Sequence, residues 1–378
     1  MIRVAHIITG LDGGGAEFML ARLVSAMPAT EFEHHVISLT GDGIVGALLR
    51  QHGVPVHLLE IRKNIAALGS NARLRTCLRD ISPSIVQTWL CHADLMGGLA
   101  ARFSARLPVV WGVHQSDNGA QSSWSTRLVL AACARLSSHI PQRVIFCSES
   151  ARQSRVVAGF PPERCEVIAN GVEATEFTRN EQEGRAIRDQ LGIPRDALVI
   201  AYPARWHVDK DPRNFFSAAA LILAERPDVQ FLLFGTGLDA SNIALMDALR
   251  EVENQEAFHL LGFRTDVVAL MSASDMGLLS SRTEALPNVI MEGMSCGLPF
   301  VATDVGDVAT LIGDAGTVVP ARDPQSLATA VLAIATSDAR QLGQLSAQAR
   351  RRIGEHYSLA RSADRYAHVY REVLGEVA

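Results

Sequence analysis

Two runs of short apolar segments alternating with longer helix-patterned segments, separated by one polar stretch, constrain this chain more than any other feature. In the first run, "RVAHIIT" (3–9), "EHHVISL" (33–39), "VPVHLLEI" (54–61), "SIVQTWL" (84–90), "PVVWGVH" (108–114) and "RVIFCS" (143–148) have strand length. Between them, apolar residues recur with helical spacing over 16–27, 44–53, about 70–80, about 93–105 and around 124–138. After the polar stretch 173–197, the strand-length segments are "LVIAYPA" (198–204), "VQFLLFG" (229–235), "FHLLG" (258–262), "DMGLLSS" (275–281) and "PFVATD" (299–304). Residues from about 324 to 376 are mostly helix-patterned. Strands joined through helices pair in parallel and are covered on both faces, so each run predicts a doubly wound α/β domain of about six strands. Segment 173–197 reads as the passage between them, carrying one helix. A chain of 378 residues suits two cores. In such sheets ligands bind at the carboxyl ends of the strands, and two facing domains make a cleft.

Composition excludes several classes. At 48% hydrophobic and 20% charged the chain reads as globular, and no apolar run reaches the roughly 18 residues of a membrane span. The start, "MIRVAHIITGLDGGG", lacks a signal-peptide layout and reads as a buried strand entering a glycine loop. Six cysteines without CxxC spacing read as reduced core thiols, and the 12 histidines form no HxxxH pair, so no metal centre is expected. Residues 1–175 carry 16 basic and 13 acidic residues and the remainder 19 and 27, so a net charge of −5 divides into +3 and −8. No basic block interleaved with aromatics suggests nucleic acid. Only Lys63 and Lys210 are lysines; 33 of the 35 basic residues are arginine.

The stretch "TEALPNVIMEGMSCGLP" (283–299) carries the clearest chemistry. It follows a strand candidate. Asn288 is placed to cap a helix over about 289–296, with Gly297 as a left-handed stop and Pro299 beyond. The unpaired amides of that helix start favour an anion such as a phosphate. Glu284 stands before the helix and Glu292 one turn inside it. Each carboxylate can accept from both hydroxyls of a vicinal diol, which suits a ribose and a sugar on either side of a diphosphate. Two exposed acids favoured by the helix dipole would give the same pattern.

The stretch resembles the Glu-x7-Glu signature of the retaining glycosyltransferases of family 4, which have the GT-B fold, and the resemblance covers nearly the whole chain. "GLDGGGAE" (10–17) is similar to that family's glycine loop near the donor phosphates, implying Gly14 and Gly15. "WGVHQSD" (111–117) is similar to its histidine loop, implying His114 at the reacting sugar. "VIANGVE" (167–173) looks like the end of its first domain. "PARWHVDKD" (203–211) resembles the loop that meets the diphosphate, implying Arg205 and Lys210. "FGTG" (234–237) and "LLGFRTDV" (260–267) resemble its loops at the nucleobase end, implying Gly235, Phe263 and Arg264. "GLPFVATDVGD" and "PARDPQSLATAV" complete the pattern. Glu284 would hold the transferred sugar, Glu292 the ribose, and Leu286, Pro287 and Asn288 the segment between. Two positions depart from the family. "ALPN" (285–288) replaces a glycine-bearing stretch, and Pro287 has no N–H to offer; Asp307 stands where a second glycine is common.

The resemblance implies transfer of a sugar, with retention of configuration, from a UDP- or GDP-sugar to a glycan or a polyprenyl- or other lipid-linked acceptor. No cofactor is implied beyond the donor itself. "DKD" (209–211) has the form of a metal-binding DxD, but its central lysine can supply the charge a metal would, so a metal-independent enzyme is expected. The domains implied are 1–174 on the acceptor side, 175–357 for the nucleotide-sugar, and a helix over 358–378 crossing back to the first, with a hinge around 173–197 and 356. Arginines 73, 75, 79, 102 and 106 fit contact of the first domain with a membrane surface. The location implied is the cytoplasm, or the inner face of the cytoplasmic membrane. A nucleotide-sugar 2-epimerase shares this architecture and is the alternative; it would convert donor without acceptor.

Overall fold

A computed structural model describes residues 1–61, 68–115 and 123–376. Lys63, residues 116 and 117 of the histidine loop, and the end of the expected final helix at 377 and 378 lie outside the described residues. The chain divides into two compact units: Met1–Gly171 with Leu359–Ala378, and Val172–Ser358.

In unit 1, strands and helices alternate: β1 (Ile2–Ile8), α1 (Gly15–Ala26), β2 (Phe32–Ser38), α2 (Ile44–Gln51), β3 (Val56–Leu58), α3 (Leu68–Ile81), β4 (Ile85–Trp89), α4 (Cys91–Ala105), β5 (Val109–Val113), α5 (Trp124–Leu136), β6 (Arg143–Phe146), α6 (Glu149–Val157) and β7 (Cys165–Val167). The strands form one parallel sheet in the order β3-β2-β1-β4-β5-β6-β7. The period of two sorts its core. Ile2, Val4 and Ile8 pack with α1 and α2, while Ala5 and Ile7 pack with α3 and α4 on the other face. The seventh strand exceeds the expected six. It is three half-buried residues with Glu166 at the centre, too short and too polar to register as an apolar run.

Unit 2 begins with α7 (Glu181–Leu191) and continues β8 (Val199–Pro203), α8 (Pro212–Glu225), β9 (Gln230–Phe234), α9 (Ile243–Arg250), β10 (Phe258–Gly262), α10 (Val267–Ser272), β11 (Met276–Leu279), α11 (Asn288–Ser295), β12 (Phe300–Thr303), α12 (Val308–Ile312), β13 (Gly316–Val319), α13 (Pro324–Ala335) and α14 (Ala339–His356). Its parallel sheet runs β10-β9-β8-β11-β12-β13. Helix α7 lies within the polar stretch 173–197 and is integral to unit 2. The Arg188 guanidinium on α7 donates to the Ala273 and Ala197 carbonyls and pairs with Asp275 at 2.9 Å. The chain then returns to unit 1 as α15 (Leu359–Leu374), whose Tyr366, Val369 and Tyr370 join the core with α1. Arg371 on α15 grips Glu31 with two hydrogen bonds of 2.6 and 2.7 Å. All six cysteines are free thiols.

A buried polar chain in unit 1 contributes to its pH response. The Trp89 indole N–H donates to His6 Nδ1 at 3.2 Å, and His6 Nε2 meets His34 Nδ1 at 3.0 Å. This order requires neutral rings, because a charged His6 would turn an N–H toward the indole N–H. Burial lowers His6 well below 6.5 and takes His34 and His114 each to about 4. The unfolded chain therefore binds protons near pH 6.5 that these rings refuse, and stability is lost as pH falls from about 6.5 toward 4. Asp94 acts in the opposite sense. Burial raises it from 3.8 to about 8, so its contribution is lost as pH rises toward 8. Burial lowers His57 and His92 of the same unit too, so the rings outweigh one carboxyl on the acid side, and Asp94 opposes them from above. The unfolding midpoint is expected to peak near pH 6.5 and to fall by roughly 5 °C or more per pH unit between 6 and 5. Thermal scans across pH check this; a midpoint flat from pH 7 to 5 would contradict it.

Candidate functional site

In each unit the sheet reverses its winding at one point, and the loops that part there leave a crevice at the carboxyl edge. In unit 2 the reversal lies between β8 and β11. The two loops leaving it are residues 204–211 and 280–287, which hold Arg205, Lys210, Glu284, Leu286 and Pro287.

These loops are tied together. The Lys210 ammonium pairs with Glu284 Oε1, the two side chains 15% and 12% exposed, and the Ser281 hydroxyl donates to the same oxygen at 2.6 Å. The Lys210 carbonyl accepts from the Ser280 hydroxyl at 2.8 Å and from the Tyr202 hydroxyl at 3.2 Å. Arg282 reaches back to Asp211 at 2.8 Å, and its backbone N–H donates to the Asp209 carbonyl at 2.7 Å. Asp211 takes a left-handed φ of 46° and leads into Pro212, the first residue of α8. Lys210 is thus held by its backbone as well as by its charge, which fixes where its ammonium sits. Arg205 in the same loop is exposed. The acids flanking Lys210 are engaged by protein groups: Asp211 by Arg282, and Asp209 by His207 at 3.1 Å. Among the described residues, no group of three or more His, Cys, Asp or Glu could hold a metal ion.

The helix after Glu284 differs from expectation at its start. α11 spans Asn288–Ser295, with Pro287 as the capping position and no side-chain cap. Pro287 lacks an N–H, which costs nothing outside the helix, and its carbonyl accepts from the Ile290 N–H at 3.2 Å. Asn288 therefore sits one place further in than the sequence pattern indicates. Gly297 does stop the helix, with φ 83°. Glu292, half-buried, lies one turn inside. The close backbone approach in this region is made by Gly306, at φ 58°. A Cβ there would lie 2.1 Å from the Glu284 carbonyl oxygen. Asp307, at φ −99°, needs no glycine and donates its N–H to the Ala285 carbonyl. Gly235, with φ 134°, ends β9 against the Ala204 carbonyl, where a Cβ would come within 2.0 Å. Phe263 is 48% exposed after β10, and Arg264 is held by Asp266 at 2.7 Å.

In unit 1 the reversal lies between β1 and β4. The loop after β1 carries Gly14, the cap of α1, and Gly15, its first residue. The loop after β4 is a single residue, Leu90, held at φ 73° and ψ 153°. A branched side chain seldom adopts that conformation, and such strain gathers at functional sites. Nothing in the sequence signals it. His114 follows β5 and stacks on Trp89, with ring centroids 4.7 Å apart and planes at 21°. Trp89 stacks in turn on Tyr366 of α15, whose hydroxyl lies 3.5 Å from His114 Nε2. His114 Nδ1 is buried, and the Asn170 side chain hydrogen-bonds the ring. Burial lowers its pKa to about 4, with the Asn170 amide beside it acting in the other direction. Trp89 and Tyr366 escaped sequence reasoning, because an apolar strand end and a helix stripe read only as core.

Residues 13–176 match the model of Glycosyltransferase Family 4, and residues 197–337 match the model of Glycosyl transferases group 1. The chain is 24% identical over 383 residues to the UDP-Gal:alpha-D-GlcNAc-diphosphoundecaprenol alpha-1,3-galactosyltransferase of Escherichia coli, covering 99% of this chain and 97% of that protein. It is 32% identical over 242 residues to the D-inositol 3-phosphate glycosyltransferase of Geodermatophilus obscurus, covering 61% of this chain and 52% of that protein. It thus spans about half the length of that second relative. Among solved structures, Anabaena HepE in complex with UDP and glucose superposes with a TM-score of 0.88 at 22% identity, covering 98% of this chain and all of that one. Sucrose-phosphate synthase from Thermosynechococcus elongatus gives 0.83 at 17%, each chain covered in full. Both likenesses establish a shared fold.

Proposed function

Because the chain belongs to the family 4 glycosyltransferases and has the two Rossmann-like domains of the GT-B fold, we propose that it transfers a sugar from a UDP-sugar to a hydroxyl of a lipid-linked glycan. UDP is preferred over GDP because the Escherichia coli relative is named for UDP-Gal and the Anabaena structure for UDP and glucose. The lipid-linked acceptor follows the same relative, named for a diphosphoundecaprenol substrate.

The observation that carries the reading is the Lys210–Glu284 pair, fixed at the winding reversal of unit 2 beside the start of α11. As the bond from sugar to diphosphate breaks, negative charge grows on the leaving phosphate, and a positioned cation stabilises it. Lys210 supplies that charge from a loop tied down by Tyr202, Ser280 and Arg282. Arg205, in the same loop, offers a planar fork for a second phosphate oxygen. The α11 amides add dipolar attraction, Leu286 and Asn288 flanking the proline that has none to give. Glu284 keeps a second oxygen to accept from a sugar hydroxyl, and Glu292 is placed one turn further for the ribose. Gly235, Phe263 and Arg264, at the ends of β9 and β10, would border the nucleobase. In unit 1, Gly14 and Gly15 would approach the donor and His114 a hydroxyl of the reacting sugar. The chemistry proposed is retaining and metal-independent, with the departing phosphate helping to deprotonate the acceptor on the same face.

A donor screen by thermal shift tests this. UDP-sugars are expected to raise the unfolding midpoint more than GDP- or ADP-sugars, and the rise is expected to survive EDTA. Glu292→Ala should abolish it. A rise that vanishes with EDTA sinks the metal-independent chemistry. An unchanged response in Glu292→Ala removes the ribose assignment. Donor consumed in the absence of any acceptor, to an epimerised sugar, would mark an isomerase instead.

A further inference from the structure

Asp94 is a titratable group that the proposed reaction does not use. It stands on the first turn of α4, 2% exposed inside unit 1. Two glycines one turn further on bring it there. A Cβ at Gly97 would meet Ile7 of β1 and Thr88 of β4 at 2.9 Å, and one at Gly98 would meet the Trp111 indole of β5 at 2.7 Å. Helix α4 therefore lies close enough to the sheet for a short acid to reach two strands at once. Asp94 Oδ1 is 2.5 Å from the Thr88 hydroxyl of β4, and the carboxyl also accepts the Gly112 N–H of β5.

The same residues hold the strained connection between β4 and α4. The Leu90 N–H donates to the Gly112 carbonyl at 3.0 Å, and the Leu90 carbonyl accepts the Asp94 N–H at 2.9 Å. A residue at φ 73° persists only where its surroundings over-determine it, and here Gly112 and Asp94 take both of its backbone groups. Trp89, just before Leu90, stacks on His114, which stands two residues past Gly112. The fit around Gly112 is close: a Cβ there would come within 2.6 Å of the Thr88 carbonyl oxygen and 3.5 Å of His114 Nε2. Asp94 thus closes a ring of bonds around the two strand ends that carry the stack.

We propose that Asp94 is a positioning residue for the transfer reaction: through Thr88 and Gly112 it fixes the carboxyl ends of β4 and β5, and with them the Trp89–His114 stack. The catalytic half of this rests on the proposed role of His114 toward the sugar; the geometric half does not. A tie between two strands needs no ionisable group, and burying one is costly. What an acid adds is a second state. Thr88 has one hydroxyl proton and two acceptors in reach, Asp94 and, at 3.3 Å, the Val110 carbonyl of β5. With Asp94 neutral, its own O–H donates to Thr88, and the Thr88 proton turns to Val110 and adds a rung between the strands. With Asp94 ionised, the Thr88 proton turns to the carboxylate and that rung is lost. Burial outweighs Thr88, Gly112 and the buried Arg155 of α6, all of which favour the carboxylate, and sets the exchange at about pH 8. The other groups of the surrounding elements do not titrate with it. Burial pushes Cys91 of α4 and Cys77 of α3 up to about 11, and Cys133 of α5 further, so these thiols stay protonated. His6, His92 and His114 are all lowered from 6.5 by burial and are already neutral.

The Trp89 indole N–H resonance of the full chain, assigned by its absence in Trp89→Phe, tests the geometric half without substrate. In a titration from about pH 6.5 to 9 it is expected to shift with a midpoint near 8 in wild type and to stay in place in Asp94→Asn. Steady-state rates with the donor found in the thermal-shift screen test the catalytic half. Asp94→Ala is expected to lower kcat about 30-fold and Thr88→Val about tenfold. The donor KM should stay within about twofold, because the diphosphate and ribose contacts proposed in unit 2 are untouched. Asp94→Asn keeps an acceptor for Gly112 and a donor for Thr88, and should recover kcat to about threefold below wild type. It should also remove the fall of roughly threefold or more that wild-type kcat shows as pH rises past 8. Should Asp94→Ala fail to fold by circular dichroism, Asp94→Asn and Thr88→Val decide. A Trp89 resonance that is unmoved near pH 8, or that moves equally in Asp94→Asn, overturns the geometric half. A kcat unchanged in Thr88→Val, or a donor KM that rises in step with the loss of kcat, overturns the catalytic half and leaves Asp94 a support of the fold alone. A failed donor screen beside a Trp89 shift that Asp94→Asn abolishes upholds the geometry and removes the reaction assigned to it.

Discussion

Lys210→Met is expected to lower kcat by about 10²–10³-fold while leaving donor affinity far less changed. The substitution keeps the apolar stem of the side chain and removes its ammonium. That charge is shared with Glu284, whose other partner at the same oxygen is Ser281. Donor binding would bring a diphosphate beside the ammonium, and its charge grows as the sugar departs, so the interaction strengthens between ground state and transition state. Interactions of that kind appear in kcat. Removing the lysine also leaves Glu284 a half-buried carboxylate without its cation, which lowers stability for a reason unrelated to catalysis. The double variant Lys210→Met with Glu284→Gln removes that penalty. It is expected to recover the unfolding midpoint and to stay inactive. Lys210→Arg keeps a charge but spreads it over a planar fork, and an intermediate loss of about tenfold is expected. Turnover by Lys210→Met within about threefold of wild type at saturating donor would remove Lys210 from the chemistry.

Part of this candidate arrangement was legible in the sequence. Lysine is so scarce here that its place between Asp209 and Asp211 carried information, and the spacing of Glu284 and Glu292 placed one acid before a helix and one inside it. The strand–helix rhythm gave both sheets, because short apolar runs of strand length recur between longer segments of helical period. What escaped was short or was read as core. β7, with Glu166 at its centre, offers no apolar run. The scaffold holding Lys210 consists of Tyr202, Ser280 and Arg282, three unrelated residue types that meet only because β8 and β11 are neighbours in the sheet. Sequence adjacency says nothing of that pairing. The helix start failed by one residue for a local reason: asparagine is a good cap, but a proline just before it already supplies the extended conformation a cap needs. Leu90 is the plainest case, since its left-handed backbone follows from a one-residue connection between β4 and α4 that no residue type announces.

His114→Ala is expected to reduce kcat/KM by roughly 100-fold, and the way wild type responds to pH should show why. Tyr366 is fully buried, which keeps its phenol protonated well above the usual range. His114, at about 4, is neutral across the working range. A protonated phenol and a neutral ring 3.5 Å apart have one favourable arrangement, with the Tyr366 hydroxyl donating to Nε2 and the imidazole proton on Nδ1. Nδ1 is buried, and the Asn170 side chain hydrogen-bonds the ring in the sense that favours a proton on it. In the proposed role, His114 would then act toward the sugar as a donor rather than as a base. Three consequences follow from that assignment. The pH–rate profile should show no inflection near 6.5 belonging to this ring. His114→Gln, which keeps a neutral N–H donor, should retain more activity than His114→Ala. Tyr366→Phe should leave the Trp89 stack in place yet release the tautomer, moving the His114 15N shifts toward the Nε2–H form, with a loss of about tenfold in kcat. Should wild type instead titrate near 6.5 with an inflection that disappears in His114→Gln, the ring is acting as a base and α15 contributes packing alone. Unchanged 15N shifts in Tyr366→Phe would sever Tyr366 from the tautomer while leaving the role of His114 to be decided by its own variants. The helix that returns from the end of the chain to unit 1 would, on this account, complete the site as well as the core, because one of its buried tyrosines sets the proton on the residue closest to the sugar.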